Sequence, residues 1–158
     1  MQILLADLNL PTHQQAMISL LDMYSRDEFG SGKPLPSDTK NRLIDGLKQA
    51  RGICFLAEEN SLPDGVEFIG LALCLPSFSS FRARPILNIH DIAVAPTHRG
   101  KGVGRALLKA VEEEARRLGC CKVTLEVRQD NETARTAYLR AGFKPTSPET
   151  LFWAQELE

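Results

Sequence analysis

The chain lacks a strong charge bias, a long apolar run and a cysteine framework, and each absence closes off a class of function. Nineteen Lys and Arg stand against twenty Asp and Glu, a formal net charge of −1, so no basic surface announces nucleic acid. No apolar stretch is long enough to span a bilayer, which leaves no membrane partner to expect. Residues 1–7, M-Q-I-L-L-A-D, lack a basic start followed by a signal-peptide core, and the expected address is cytoplasmic. The four cysteines form no C-x-x-C pair, and His13, His90 and His98 have no metal-site spacing to them. A zinc site or a thioredoxin-type redox pair is therefore not expected, nor is any bound metal. Cys54 and Cys74 fall in apolar strand patterns, Cys120 and Cys121 are adjacent, and all four read as reduced thiols. The 43% hydrophobic and 25% charged residues are ordinary for a globular protein. At 158 residues, a single domain over 1–158 with a real core is expected.

The most informative segment runs over residues 86–115. An apolar strand pattern ends near Pro96, and a basic glycine-rich turn follows, Arg99-Gly100-Lys101-Gly102-Val103-Gly104. An amphipathic helix pattern starts directly after it. Strand, glycine turn and helix N-terminus together make an anion site, because backbone N–H groups converge there and the helix dipole adds positive potential. Glycine lets the backbone approach a phosphate closely. The spacing is not a P-loop, which needs G-x-x-x-x-G-K-[ST]. Nor is it a dinucleotide fingerprint, since the third glycine of G-x-G-x-x-G is missing. What remains is R-x-x-G-x-G at Arg99, Gly102 and Gly104.

Around this segment the periodicities predict strands at 2–8, 53–58, 66–75, 86–96 and 122–127, with two short strands near Phe143 and at 151–157. Helices are predicted from Pro11 to about Arg26, from a cap at Ser37, after Gly104 to near Gly119, and from Asn131 to Gly142. Leu-Pro-Asp-Gly at 62–65 marks a turn between two antiparallel strands. Residues 77–85, containing Phe78 and Phe81, read as a loop. This order predicts a layered α/β (α+β) domain on a mixed sheet.

A second segment, N-E-T-A-R-T-A-Y-L-R-A-G-F at 131–143, has its own logic. Asn131 suits an N-cap and Glu132 the first turn. Ala134, Ala137, Tyr138 and Ala141 share one mostly small face, and Gly142 ends the helix.

Together the R-x-x-G-x-G turn and the N-x-x-A-x-x-x-Y…G-F segment resemble the two cofactor motifs of the GCN5-related N-acetyltransferases, the GNAT superfamily. The resemblance is strong over residues 86–143 and only topological before that. It implies a mixed, mostly antiparallel sheet of six to seven strands with helices on both faces, and acetyl-CoA (coenzyme A) as co-substrate. In that family the strands before the two motif helices splay apart and admit the pantetheine arm. By resemblance, backbone groups of Ile92, Ala93 and Val94 bond that arm. The N–H groups of Arg99, Gly100, Lys101, Gly102, Val103 and Gly104 cradle the pyrophosphate, with Arg105 beside them. Asn131 matches a cofactor-arm contact, and Tyr138 matches the general acid that protonates the departing thiolate.

The base is left open. Asn88, His90, Ile92 and Val94 alternate onto one strand face, where the family often carries a glutamate. His90 is one candidate, with an ordinary pKa of about 6.5, and a water relay is another. Asp91 is expected on the opposite face unless a bulge turns it inward, with an orienting role favoured. Tyr24, Asp27, Glu28, Phe78, Phe81 and Asn88 are the expected acceptor-lining residues, and the acids among them suit a cationic amine. The resemblance implies acetyl transfer to a primary amine, with a small-molecule acceptor preferred over a protein N-terminus or lysine. A catalytically silent acyl-CoA binding module is the alternative. The family includes dimers that exchange their last strands, so a homodimer stays open.

Overall fold

The computed structural model describes residues 1–62, 65–147 and 153–157. Five strands form one sheet in chain order: β1 (Gln2–Leu5), β2 (Ile53–Leu62), β3 (Gly65–Ser79), β4 (Arg84–Val94) and β5 (Val123–Leu125). The first four are antiparallel neighbours, and β5 runs parallel to β4. Among the described residues there are four α-helices, α1 (Pro11–Ser25), α2 (Ser37–Gln49), α3 (Val103–Arg117) and α4 (Glu132–Arg140), and a short 3-10 turn at Pro96–His98. The mixed, mostly antiparallel α/β layering is as the sequence implies.

The sheet separates two cores by simple alternation. Along β2, Cys54 and Leu56 face α1 and α2, where they meet Met17, Leu20, Leu21, Ile44 and Leu47. Phe55 and Ala57 face α3 and its Val103, Leu107 and Val111. Helices therefore cover both faces. Gly70 on β3 lets α3 settle closely. A Cβ there would lie 2.9 Å from the Ala93 carbonyl oxygen and 3.2 Å from Val103 Cγ1.

Several boundaries differ from expectation for local reasons. The strand expected at Phe143 is absent, because the chain there is still closing α4. The Phe143 N–H bonds the Tyr138 carbonyl and the Gly142 N–H bonds the Leu139 carbonyl, with Gly142 at φ 91°. This is a Schellman closure. Of the strand expected at 151–157, residues 151–152 lie outside the described set, and 153–157 are irregular. The sheet thus has five strands among the described residues rather than six or seven. Ser37 is the first residue of α2 rather than its cap: Pro36 precedes it, and no side chain caps the helix. The loop expected at 77–85 shrinks to 80–83, because β3 and β4 pair as far as Ser79↔Arg84. The strand expected at 122–127 is reduced to the three residues of β5, Val123–Leu125.

Candidate active site

The site begins where β4 and β5 part. They pair at Leu87↔Val123, Asn88↔Thr124 and Ile89↔Leu125, and no further. Beyond Ile89, β4 keeps its β3 partners, Ala72↔Ile92, Leu71↔Ala93 and Gly70↔Val94. Among the described residues, its other edge has no strand beside it. Buried or half-buried backbone groups need partners, so this edge is a ready receptor for an extended amide-bearing chain. Ile92 and Val94 pack their side chains on the α3 core, and Ala93 is buried. These three residues offer main chain rather than side chain to the slot.

A bulge sits at the parting point. The β3–β4 ladder steps from Cys74↔Ile89 to Leu73↔Asp91 and leaves His90 unopposed. Inserting one residue flips the alternation. Ile89 and Ile92 consequently both face the α3 core. Asp91 faces with its partner Leu73, which belongs to the α1–α2 core. The expected shared face of Asn88, His90, Ile92 and Val94 is therefore broken. Asn88, opposite Leu75, lies on the α1–α2 side, His90 is exposed, and Ile92 and Val94 lie on the α3 side. Asn88 is also engaged, since its Nδ2 donates to Thr124 Oγ1 at 3.1 Å. It fastens the closed end of the slot.

Three titratable groups near the open end are linked through their electrostatics. Burial raises the Asp91 pKa above the usual carboxylate range, with His90 pulling the other way. Burial raises Tyr24, and the nearby carboxylates of Asp91 and Asp27 add to the shift. Tyr138 is pushed up to about 12 by burial and then by the neighbouring Tyr24. Tyr24 of α1 is therefore near Asp91 of β4 and near Tyr138 of α4, while the Tyr138 ring packs on the α3 core. The α4 closure holds the Tyr138 ring, which meets Phe143 edge-on at a centroid distance of 6.0 Å. This is the apolar contact that accompanies such closures. Asn131 caps the same helix, its Oδ1 accepting the Ala134 N–H at 3.0 Å.

The turn from Arg99 leads into α3. Gly100 and Gly102 have φ of 74° and 87°, a region that other residues enter only with strain. A Cβ at either would meet nothing within 4 Å, and one at Gly104 would meet only Val94 Cγ2 at 3.9 Å. The glycine surface is thus open to a ligand. The first turn of α3 has no acidic residue and no side-chain cap, so its N–H groups are available to an anion. Lys101 and Arg105 are exposed beside it, whereas the Val103 side chain is buried core. This main-chain cradle, continuous with the open β4 edge, fits a phosphate-bearing pantetheine chain.

Arg99 behaves differently from its neighbours. Its Nη2 donates to Asp27 Oδ2 at 2.8 Å, and its Nε donates to the Val94 carbonyl at 3.2 Å. Asp27 is thereby paired, and the Arg99 contact holds its carboxyl below the usual range. Glu28 is exposed. Phe78, opposite Pro85 in an unbroken ladder, is three residues from Leu75 and so lies on the α3 side, 63% exposed. It is not brought to Tyr24 and Asp91, and Phe81 stands fully exposed at the hairpin tip. The sequence patterns did not single out Thr124, Gly70 or the Asp27–Arg99 pairing, because each depends on a partner distant in the chain. A cleft of about 430 Å³ behind β5, lined by residues such as Leu108, Cys120 and Phe143, holds none of the linked groups. Burial pushes the Cys74 thiol up to about 12, which removes it as a nucleophile.

A sequence model described as the Acetyltransferase (GNAT) family matches residues 17–143. The chain belongs to this family of acetyltransferases, whose members use acetyl-CoA as co-substrate. An uncharacterized N-acetyltransferase, YhfO, of Bacillus subtilis (strain 168) is 34% identical over 98 residues, 62% of each chain. The match thus spans about three fifths of that relative. The aminoglycoside N(6')-acetyltransferase type 1 of Stenotrophomonas maltophilia is 31% identical over 115 residues, 72% of this chain and 73% of its own. The crystal structure of a probable acetyltransferase shares the fold, with a TM-score of 0.83 at 23% identity over 100% of this chain and 99% of that one. Among the described residues, no helix is long and apolar enough to cross a membrane.

Proposed function

We propose that this chain transfers the acetyl group of acetyl-CoA to a small primary amine by direct attack, with Asp91 as base and Tyr138 as acid. The observation that carries this reading is the bulge at His90. It turns Asp91 to the α1–α2 side just beyond the end of the β4–β5 pairing, near Tyr24, which in turn neighbours Tyr138. The exposed His90 is then the residue that lets Asp91 face inward rather than the base itself.

In the proposed reaction the open edge of Asp91–Val94 holds the pantetheine arm, and the turn at 99–104 holds the pyrophosphate. The Asp91 carboxylate accepts a proton from the amine, and the amine nitrogen bonds to the thioester carbonyl carbon. As the C–S bond breaks, Tyr138 donates its phenolic proton to the leaving sulfur. A new amide and free coenzyme A result, and solvent returns the two residues to their starting states. A carboxylate of raised pKa is a stronger base than an ordinary one. A phenol with a pKa of about 12 stays protonated through the working range. The relative from Stenotrophomonas maltophilia, named for an aminoglycoside, supports a small-molecule acceptor. Asp91 offers the amine a carboxylate, and Tyr24 offers a phenol beside it.

Tyr138→Phe tests the assignment. It should lower kcat by roughly 10²-fold, the lower range for loss of a general acid, while the coenzyme A dissociation constant stays within about twofold. An unchanged kcat would remove Tyr138 from the reaction.

A further inference from the structure

We propose that Arg99 is a positioning residue for the acceptor side, and that its side chain does not bind the pyrophosphate. It clasps the α1–α2 loop to the end of β4. The inference rests on reading the 99–104 turn as the pyrophosphate site, and it assigns the turn's first side chain to a different task.

The geometry points away from the phosphate. Both observed donors of Arg99 are spent, one on Asp27 and one on the carbonyl of Val94 at the end of β4. The receiving carboxylate is itself fixed. Asp27 Oδ1 accepts the Phe29 N–H at 3.1 Å, the Asp27 N–H bonds the Tyr24 carbonyl, and the Asp27 carbonyl accepts the Gly30 N–H. Asp27 is only 18% exposed, against 52% for Arg99. The acid is thus a preformed socket and the arginine the mobile partner.

The loop behind the socket is tightly folded. The buried Ser25 donates its hydroxyl to the Lys33 carbonyl at 2.7 Å. Gly30 lies so near the helix end that a Cβ would fall 2.3 Å from the Tyr24 carbonyl oxygen. Tyr24 thus carries on its backbone the turn that Arg99 grips, while its phenol neighbours Asp91 and Tyr138. Releasing the clasp frees residues 26–33 and the end of α1 that sets Tyr24. An arginine whose fixed fork makes one bond to each of two elements in this way acts chiefly as a geometric restraint.

The test uses the full chain with coenzyme A as probe. Amide hydrogen exchange is followed over residues 25–33 in wild type, Asp27→Asn, Arg99→Gln and Arg99→Lys, with calorimetric coenzyme A affinity alongside. The clasp predicts at least tenfold faster exchange in Asp27→Asn and Arg99→Gln, and partial recovery in Arg99→Lys. Coenzyme A affinity stays within about threefold of wild type. With any amine that turns over, KM for the amine rises at least fivefold while KM for acetyl-CoA is nearly constant. An Arg99→Gln variant that loses coenzyme A affinity tenfold or more, with exchange unchanged, overturns the proposal and makes Arg99 a phosphate ligand. Equal exchange in all four proteins also overturns it. Failure of the wild type to bind coenzyme A is a separate result that sinks the reading of the turn itself.

Discussion

The two walls of the slot are held by different kinds of contact. The cofactor wall is main chain and nearly continuous in sequence, from the unpaired edge of β4 through the glycine turn to the first N–H groups of α3. The acceptor wall is held by side chains that are far apart in the chain. Asp22 of α1 binds Lys40 of α2 at 2.9 Å and accepts the Leu35 N–H at 2.8 Å. Asp27 reaches Arg99, 72 residues away. A main-chain cradle tolerates varied side chains, provided the glycines stay. A side-chain wall can be rebuilt one substitution at a time without disturbing the cradle.

The largest expected effect falls where the walls meet. Asp91→Asn should cut kcat by roughly 10²–10³-fold, within the range for loss of a general base. It should also raise thermal stability at neutral pH. The folded pKa of Asp91 is raised, so ionising it costs stability that is fully present only below the unfolded pKa and is lost as pH rises through the folded one. Removing the charge relieves that cost, at roughly 2–4 °C in Tm for each kcal/mol recovered. A thermal scan at neutral pH checks this, and a fall in Tm together with full activity would detach Asp91 from both roles.

The cofactor wall is where the sequence is legible. A strand, a glycine turn and an amphipathic helix are local patterns, and Arg99 to Gly102 form the expected turn, although Val103 and Gly104, expected within it, already belong to α3. The capping of α4 by Asn131 and its closure at Gly142 are equally local. The bulge at His90 was not legible, because the extra residue is defined only by what lies opposite, Leu73 and Cys74. The same holds for Asp27, whose acidity suggested a cationic acceptor, yet whose partner is Arg99. Phe78 was grouped with Tyr24 because the hairpin was read as a loop. Once β3 extends to Ser79, alternation sends Phe78 to the other face.

Gly102→Ala sharpens the comparison from the cofactor side. An L-residue at the observed φ of 87° costs about 1–2 kcal/mol, and its Cβ enters the space facing the ligand. Coenzyme A affinity should fall about tenfold by calorimetry, equivalent to about 1.4 kcal/mol, with little change at the acceptor wall. Asn131→Ala should cost about 1 kcal/mol of stability through the lost cap, measured by denaturant unfolding, with kcat lowered only as far as Tyr138 shifts.

The smallest effect distinguishes the walls by pH. Asp22, held down to about 2 by Lys40 first, and Asp27, lowered by Arg99, both have depressed folded pKa values. Their contribution is present above the unfolded carboxylate range and is lost as pH falls through the folded values. Hydrogen exchange in residues 22–35, corrected for intrinsic rates, should therefore quicken as pH falls from 5 to about 3, while β4, whose Asp91 is shifted the other way, holds. Simultaneous loosening of both regions would contradict the division.

The most direct measurement is thiol release from acetyl-CoA against a panel of amines that includes an aminoglycoside, a lysine analogue and a short peptide, with coenzyme A binding followed by calorimetry. The account predicts that coenzyme A binds, and that thiol release rises with at least one small primary amine and yields its N-acetyl product. Absence of coenzyme A binding would contradict the reading of the slot. Binding with no release on any amine, or release on the peptide alone, would contradict the small-amine transferase assigned to it.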